Sequence, residues 1–183
     1  MEFDHAFPFS RQALLAGFRP ATLTGCPAPG TRSFSAVLVH IAVANFCLLH
    51  LSGVRTPDSL ELYGELEPDS PVQRLAMVRK NLAMERTLTG QPAVIDFLRR
   101  SLEAVQLSMT DASAETLEES RSFVEEETTR RRLLLRALVH THEHMGQAVA
   151  YARAFGMQLP WPDPLAGLEN MPVDIPAEHA ATG

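Results

Sequence analysis

An all-α fold, most simply a four-helix bundle, is predicted by three features of this 183-residue chain. Apolar residues recur at three- and four-residue spacing over several stretches of helical length. Clusters of proline and glycine separate those stretches. No segment shows convincing strand alternation, an internal repeat or a glycine-rich phosphate loop.

The elements follow in order. Phe9 to Phe18 reads as a short amphipathic helix with Leu14, Leu15 and Phe18 at helical spacing, stopped by Pro20. Residues 20–32 are punctuation, and Ser33 or Ser35 is placed to cap a second helix running to Leu51. That helix is apolar on most sides, as expected of one inside a protein. Gly53 and Pro57 end it, and residues 54–70 read as an irregular connection. Val72 to Met84 is a helix with Leu75, Val78 and Leu82 expected to face inward. Pro92 then opens a helix to Met109, its stripe formed by Ile95, Leu98, Leu102, Val105 and Met109. After a polar break at residues 110–114, the glutamate-rich stretch from Ala114 is expected to start one long helix to Phe155. Glu126–Arg130 and Glu127–Arg131 would then be i, i+4 ion pairs. Gly156 terminates it. Residues 1–160 are read as the bundle domain. Residues 161–183, rich in proline, are read as an extended or disordered tail.

Composition narrows the function. The chain is 45% apolar and 21% charged, which is globular. Its net charge of −6 argues against a phosphate-tracking nucleic-acid surface. The apolar run from Ala36 to Leu51 holds His40, Asn45 and His50 and falls short of a membrane span. The N-terminus lacks the pattern of an export signal. Two cysteines, Cys26 and Cys47, make no disulfide framework. A cytoplasmic protein acting on a small molecule is the expectation, with neither nucleic acid nor membrane as partner.

Seven histidines are the unusual feature. His140 and His144, at i, i+4, share a helix face with Leu133, Ala137, Ala148, Tyr151 and Phe155 and point inward. His142 is rotated by about half a circle from them and looks outward. On the second helix His40 shares a stripe with Val37, Ala44, Cys47 and Leu51, so it also points inward. His50 lies on a flank, and His5 and His179 lie near the termini. Three inward histidines from two helices fit a metal centre for zinc, nickel, iron or copper with an open position. They equally fit hydrogen-bonded core imidazoles. Cys47 reads as a small core residue. A zincin protease is excluded, because Thr141 stands where H-E-x-x-H needs its glutamate.

The segment His140-Thr-His-Glu-His144-Met-Gly-Gln147, followed by AVAYARAFGMQLPW, resembles the last helix of the DinB/YfiT-like metalloenzyme superfamily. Residues 29–46, from Pro29-Gly30 through His40 to Phe46, resemble that family's loop and second helix. Residues 87–94 resemble its entry into the third helix. The similarity spans residues 10–160. It implies a four-helix bundle, often a homodimer, with His40, His140 and His144 as ligands of a divalent transition metal (zinc, nickel or iron). It also implies a low-molecular-weight thiol as co-substrate, as in the bacillithiol S-transferases and the mycothiol-dependent maleylpyruvate isomerase. Met145 stands where the family often has arginine, a departure at the metal-binding helix. The alternative is a non-catalytic, metal-binding or stress-associated dimeric bundle.

Overall fold

The computed structural model describes residues 24–66, 70–123 and 126–157. The expected first helix at 9–18 and the tail at 161–183 lie outside them. Six helices and one hairpin are described: α1 Phe34–Leu51, α2 Pro57–Tyr63, α3 Pro71–Thr87, α4 Gln91–Thr110, α5 Ala114–Leu117, β1 Ser120–Phe123, β2 Glu126–Thr129 and α6 Arg130–Ala154.

α1 is the axle of the fold. Ser33 caps it, its hydroxyl accepting from the Ala36 amide at 3.2 Å. The other long helices, α3, α4 and α6, all pack on it, so 14 of its 18 residues are buried. Contrary to the shorter run read from the sequence, Phe34–Leu51 is long and apolar enough to cross a membrane by length and composition alone; burial by its three neighbours makes it the core here. A fully buried polar node sits among the apolar contacts. Thr141 of α6 donates to Asn45 Oδ1 at 3.0 Å, and Asn45 Nδ2 donates to Ser101 of α4 at 3.4 Å.

Three expectations are corrected. First, residues 54–70 are not wholly irregular. Thr56 and Ser59 form a reciprocal capping box, and Pro57 sits in the first turn, so α2 forms. Second, α3 does not turn Leu75, Val78 and Leu82 inward. Met77 is its buried residue, while those three remain 49%, 49% and 38% exposed. Polar contacts set the rotation of this helix: the Tyr63 hydroxyl lies 2.7 Å from Asn81 Oδ1, and Glu85 reaches α1. Third, the expected helix from Ala114 to Phe155 is broken. α5 is a single turn, and an antiparallel hairpin pairs Ser120 with Thr129 and Phe123 with Glu126.

The chain folds back here because Arg121 of the hairpin and Arg130 and Arg131 at the start of α6 have better partners than helical i, i+4 pairing offers. Arg131 pairs with Glu118 at 2.8 Å and Arg130 with Glu119 at 3.0 Å, in place of the expected Glu127 and Glu126. Arg121 Nε and Arg130 Nε also donate to the Ser52 carbonyl at 2.9 and 3.0 Å. Ser52 follows the last turn of α1, where carbonyls lack intrahelical donors and cations are favoured. β-branched Thr128 and Thr129 suit the strand, and Thr129 then caps α6.

Gly53 adjoins this clamp with φ +85°, and a Cβ built there would lie 2.6 Å from Arg121 Nη2. Gly53→Ala is therefore expected to lower stability by about 1–2 kcal/mol, read from the midpoint of urea unfolding. The left-handed backbone and the displaced guanidinium both contribute.

Candidate metal centre

The two helices carrying the inward histidines, α1 and α6, run antiparallel: His40 meets His140 and His144 at one end, and Ser52 meets Arg130 at the other. The three rings lie 4.5–5.0 Å apart between centroids. One ring nitrogen from each falls within 4.8 Å of the others. All three residues are partly exposed, so the cluster opens toward solvent. The structure thus brings together the three histidines chosen from helix faces. His142 is exposed, as expected. His50 is buried away from the cluster, its Nε2 2.8 Å from the Leu66 carbonyl and its ring against Tyr63. Cys47 packs near Asn81 and Tyr63, and burial pushes its thiol up to about 11, so it stays protonated.

Hydrogen bonds orient the rings. Glu85 of α3 lies 2.7 Å from His40 Nδ1, and Arg32 Nε donates to its other oxygen at 2.9 Å. Burial would raise the Glu85 carboxyl, but the bonds from His40 and Arg32 and their charges hold it below its usual value. An ionised carboxylate only accepts, so His40 Nδ1 carries the proton and Nε2 offers its lone pair. His144 repeats the pattern: Nδ1 donates to Gln147 Oε1 at 2.9 Å, and Gln147 Nε2 donates to the Tyr151 hydroxyl at 3.1 Å. His140 is different. Its Nδ1 is buried with no hydrogen-bond partner.

His140 is also held neutral. Its pKa is pushed down to about 4, first by burial, then by the neighbouring His144 and His40 and by Arg136 and Arg32. The free imidazole titrates near 6.5. Between these values the unfolded chain binds a proton that the folded one refuses, so stability falls as pH falls. Glu85 acts in the same direction at still lower pH, its lowered pKa adding stability that is lost on protonation. The metal-free protein should therefore show a thermal midpoint that drops from pH 6.5 toward 4, and His140→Gln should flatten the upper part of that drop. Circular dichroism melts across the range provide the measurement.

Reading by motif missed Glu85, Arg32 and Arg136. Glu85 lies 45 residues from His40 in a helix with no signature. Arg32 lay inside the loop resembling the family's, without a role. Helix spacing offered a signal only for Arg136, one turn before His140. A separate cleft of about 450 Å³ between α2, α3 and α4 holds none of the histidines; over it Arg100 is tied to Asp58 and Asp96.

A helical bundle that gathers three histidines from two antiparallel helices at one end defines a class of candidate metalloproteins. The chain belongs to the DinB superfamily, whose sequence pattern matches residues 11–148. It is similar in fold to the crystal structure of a DinB-like protein from Bacillus cereus ATCC 10987, with a TM-score of 0.60 and 18% identity, over 84% of this chain and 89% of that one. No curated protein sequence matches.

Proposed function

We propose that the protein is a metal-dependent enzyme in which His40, His140 and His144 hold one divalent transition ion and leave a coordination position open. The observation that carries this reading is the convergence of three ring nitrogens within 4.8 Å. The buried, partnerless Nδ1 of His140 fits a missing electrophile at that point. The donor set, all imidazole, suits zinc, nickel or iron. When bound, such an ion makes a thiol or water at its open position acidic near neutral pH.

The chain's own residues do the rest. Glu85 fixes the tautomer and direction of His40, and Arg32 keeps Glu85 ionised. Gln147 does the same for His144 through its side-chain oxygen. Arg32 and Arg136 add positive potential beside the cluster, which favours an anionic nucleophile or substrate group. Transfer of a low-molecular-weight thiol to an electrophile is the reaction class we infer from the proposed metal and the potential around it, and a cytoplasmic homodimer is the setting proposed for it. A dimeric metal-binding scaffold without catalysis is the second reading, favoured because Glu85, the carboxylate found at the cluster among the described residues, is already committed to His40 and Arg32.

Elemental analysis after incubation with zinc, nickel and ferrous iron tests the first step. No bound metal under any of these conditions defeats both readings. Metal-loaded protein that never accelerates attack of small thiols on electrophiles leaves the scaffold.

A further inference from the structure

From the placement of Arg32 we infer that this side chain reads a carboxylate on the molecule that occupies the open position of the three-histidine centre. The inference rests on the proposed metal site and adds the class of ligand, an acid, and the residue that selects it. Arg32 is fixed at both ends. At its root the chain turns tightly: the Thr31 amide and hydroxyl both donate to the Ala28 carbonyl, at 3.2 and 2.7 Å, with Gly30 at φ +81° beside them. At its tip, Nε donates to Glu85 Oε2 at 2.9 Å, and the other oxygen of that carboxylate lies 2.7 Å from His40 Nδ1. A single carboxylate thus joins Arg32 to a ring of the cluster.

The bond to Glu85 occupies only Nε. Both Nη groups are without a hydrogen-bond partner among the described residues. The Glu85 side chain is 8% exposed, whereas that of Arg32 is 42% exposed. The guanidinium is planar, so its outer edge remains able to meet a carboxylate through paired N–H bonds. A side chain already held by Glu85 gives up little freedom in doing so. Charge asks for such a group. Three neutral imidazoles leave a dication uncompensated, and Glu85 offsets only Arg32. Arg136 and Glu143, 3.8 Å apart, offset each other. One anionic group at the open position leaves one positive charge over, and a carboxylate at Arg32 balances it. The chain as a whole carries −6, so this attraction for an anion is local to the site.

The test uses the cobalt-loaded full chain with 6-mercaptohexanoate and its neutral counterpart, 6-mercaptohexan-1-ol. Binding is read from the sulfur-to-cobalt charge-transfer band, corrected for the thiolate fraction of each compound. The acid is expected to bind about 10-fold more tightly than the alcohol. Arg32→Lys keeps the charge and loses the planar fork, so the preference should shrink to about two- to threefold. Arg32→Met should abolish it. Because Arg32 also holds Glu85, either change weakens both compounds; the ratio between them isolates the carboxylate. Arg136→Met removes another charge that acts on His140 and should keep most of the preference. Equal affinity of the parent for the two compounds, or a preference that survives in Arg32→Met, overturns the assignment while leaving the three-histidine site standing. A preference lost as fully in Arg136→Met also overturns it, since diffuse potential then suffices. Absence of cobalt binding overturns the site, and this inference with it.

Discussion

His140→Ala is expected to take the protein from about one bound ion per chain to none, measured by elemental analysis after reconstitution and desalting. His144→Ala should do the same. Two imidazoles remain in either variant, and two neutral ligands on partly exposed helices hold a dication poorly. Glu85→Gln is the graded companion. The amide oxygen still accepts from His40 Nδ1, so the ring stays oriented, but the negative charge that strengthens His40 as a donor is gone. Metal affinity should fall by about 10- to 100-fold while the fold persists. If all three variants bind metal like the parent, the cluster is a set of core imidazoles. Circular dichroism separates loss of metal from loss of fold: His140 and His144 are partly exposed, so their truncation opens no deep cavity.

The contrast between what was legible in the sequence and what was not has a physical basis. His40, His140 and His144 could be chosen because each question was local. A helix face is decided by residues within three or four positions, and both helices carry strong apolar stripes. Glu85 could not be chosen. Its helix, α3, has its aliphatic residues on one face and turns another inward, because Asn81 and Glu85 find polar partners on α2 and α1. Hydrophobic periodicity ranks Leu75, Val78 and Leu82 as core and has no means of weighing those distant partners. The break after Ala114 was hidden for a related reason. A run of glutamates before a run of arginines mimics a salt-bridged helix, and only the position of the Ser52 carbonyl at the end of α1 makes the folded-back hairpin the better solution.

The packing of three helices around α1 survived these local errors because α1 is apolar on nearly every side. A helix that must be covered all round draws its neighbours to it, whatever the detail of their connections. The bundle therefore follows from one segment, while the rotation of each neighbour depends on single polar anchors. The same division sets the precision of the site, since two of its three histidines ride on the rotation of α6.

Asn45→Ala is for that reason expected to damage both stability and the site. Asn45 is fully buried and ties its own helix to two others: it accepts from Thr141 on α6 and donates to Ser101 on α4. Ser101 retains its bond to the Leu98 carbonyl at 2.8 Å, so the change strands mainly the Thr141 hydroxyl, which is itself buried. A lost buried hydrogen bond, an unsatisfied hydroxyl and a small cavity together should cost roughly 2–4 kcal/mol in urea unfolding. Thr141 directly follows His140 in α6, so its bond to Asn45 also sets the helix rotation that aims His140 and His144 at His40. Metal affinity should fall in Asn45→Ala even where the variant is fully folded. Thr141→Val keeps the shape and removes the donor; it should cost less stability, because no cavity opens and only the Asn45 oxygen is stranded. Coupling between the two changes, measured by a double-mutant cycle in both stability and metal affinity, shows whether one node serves both. If Asn45→Ala destabilises the bundle without changing metal affinity, the rotation of α6 is held elsewhere, and the node is structural alone.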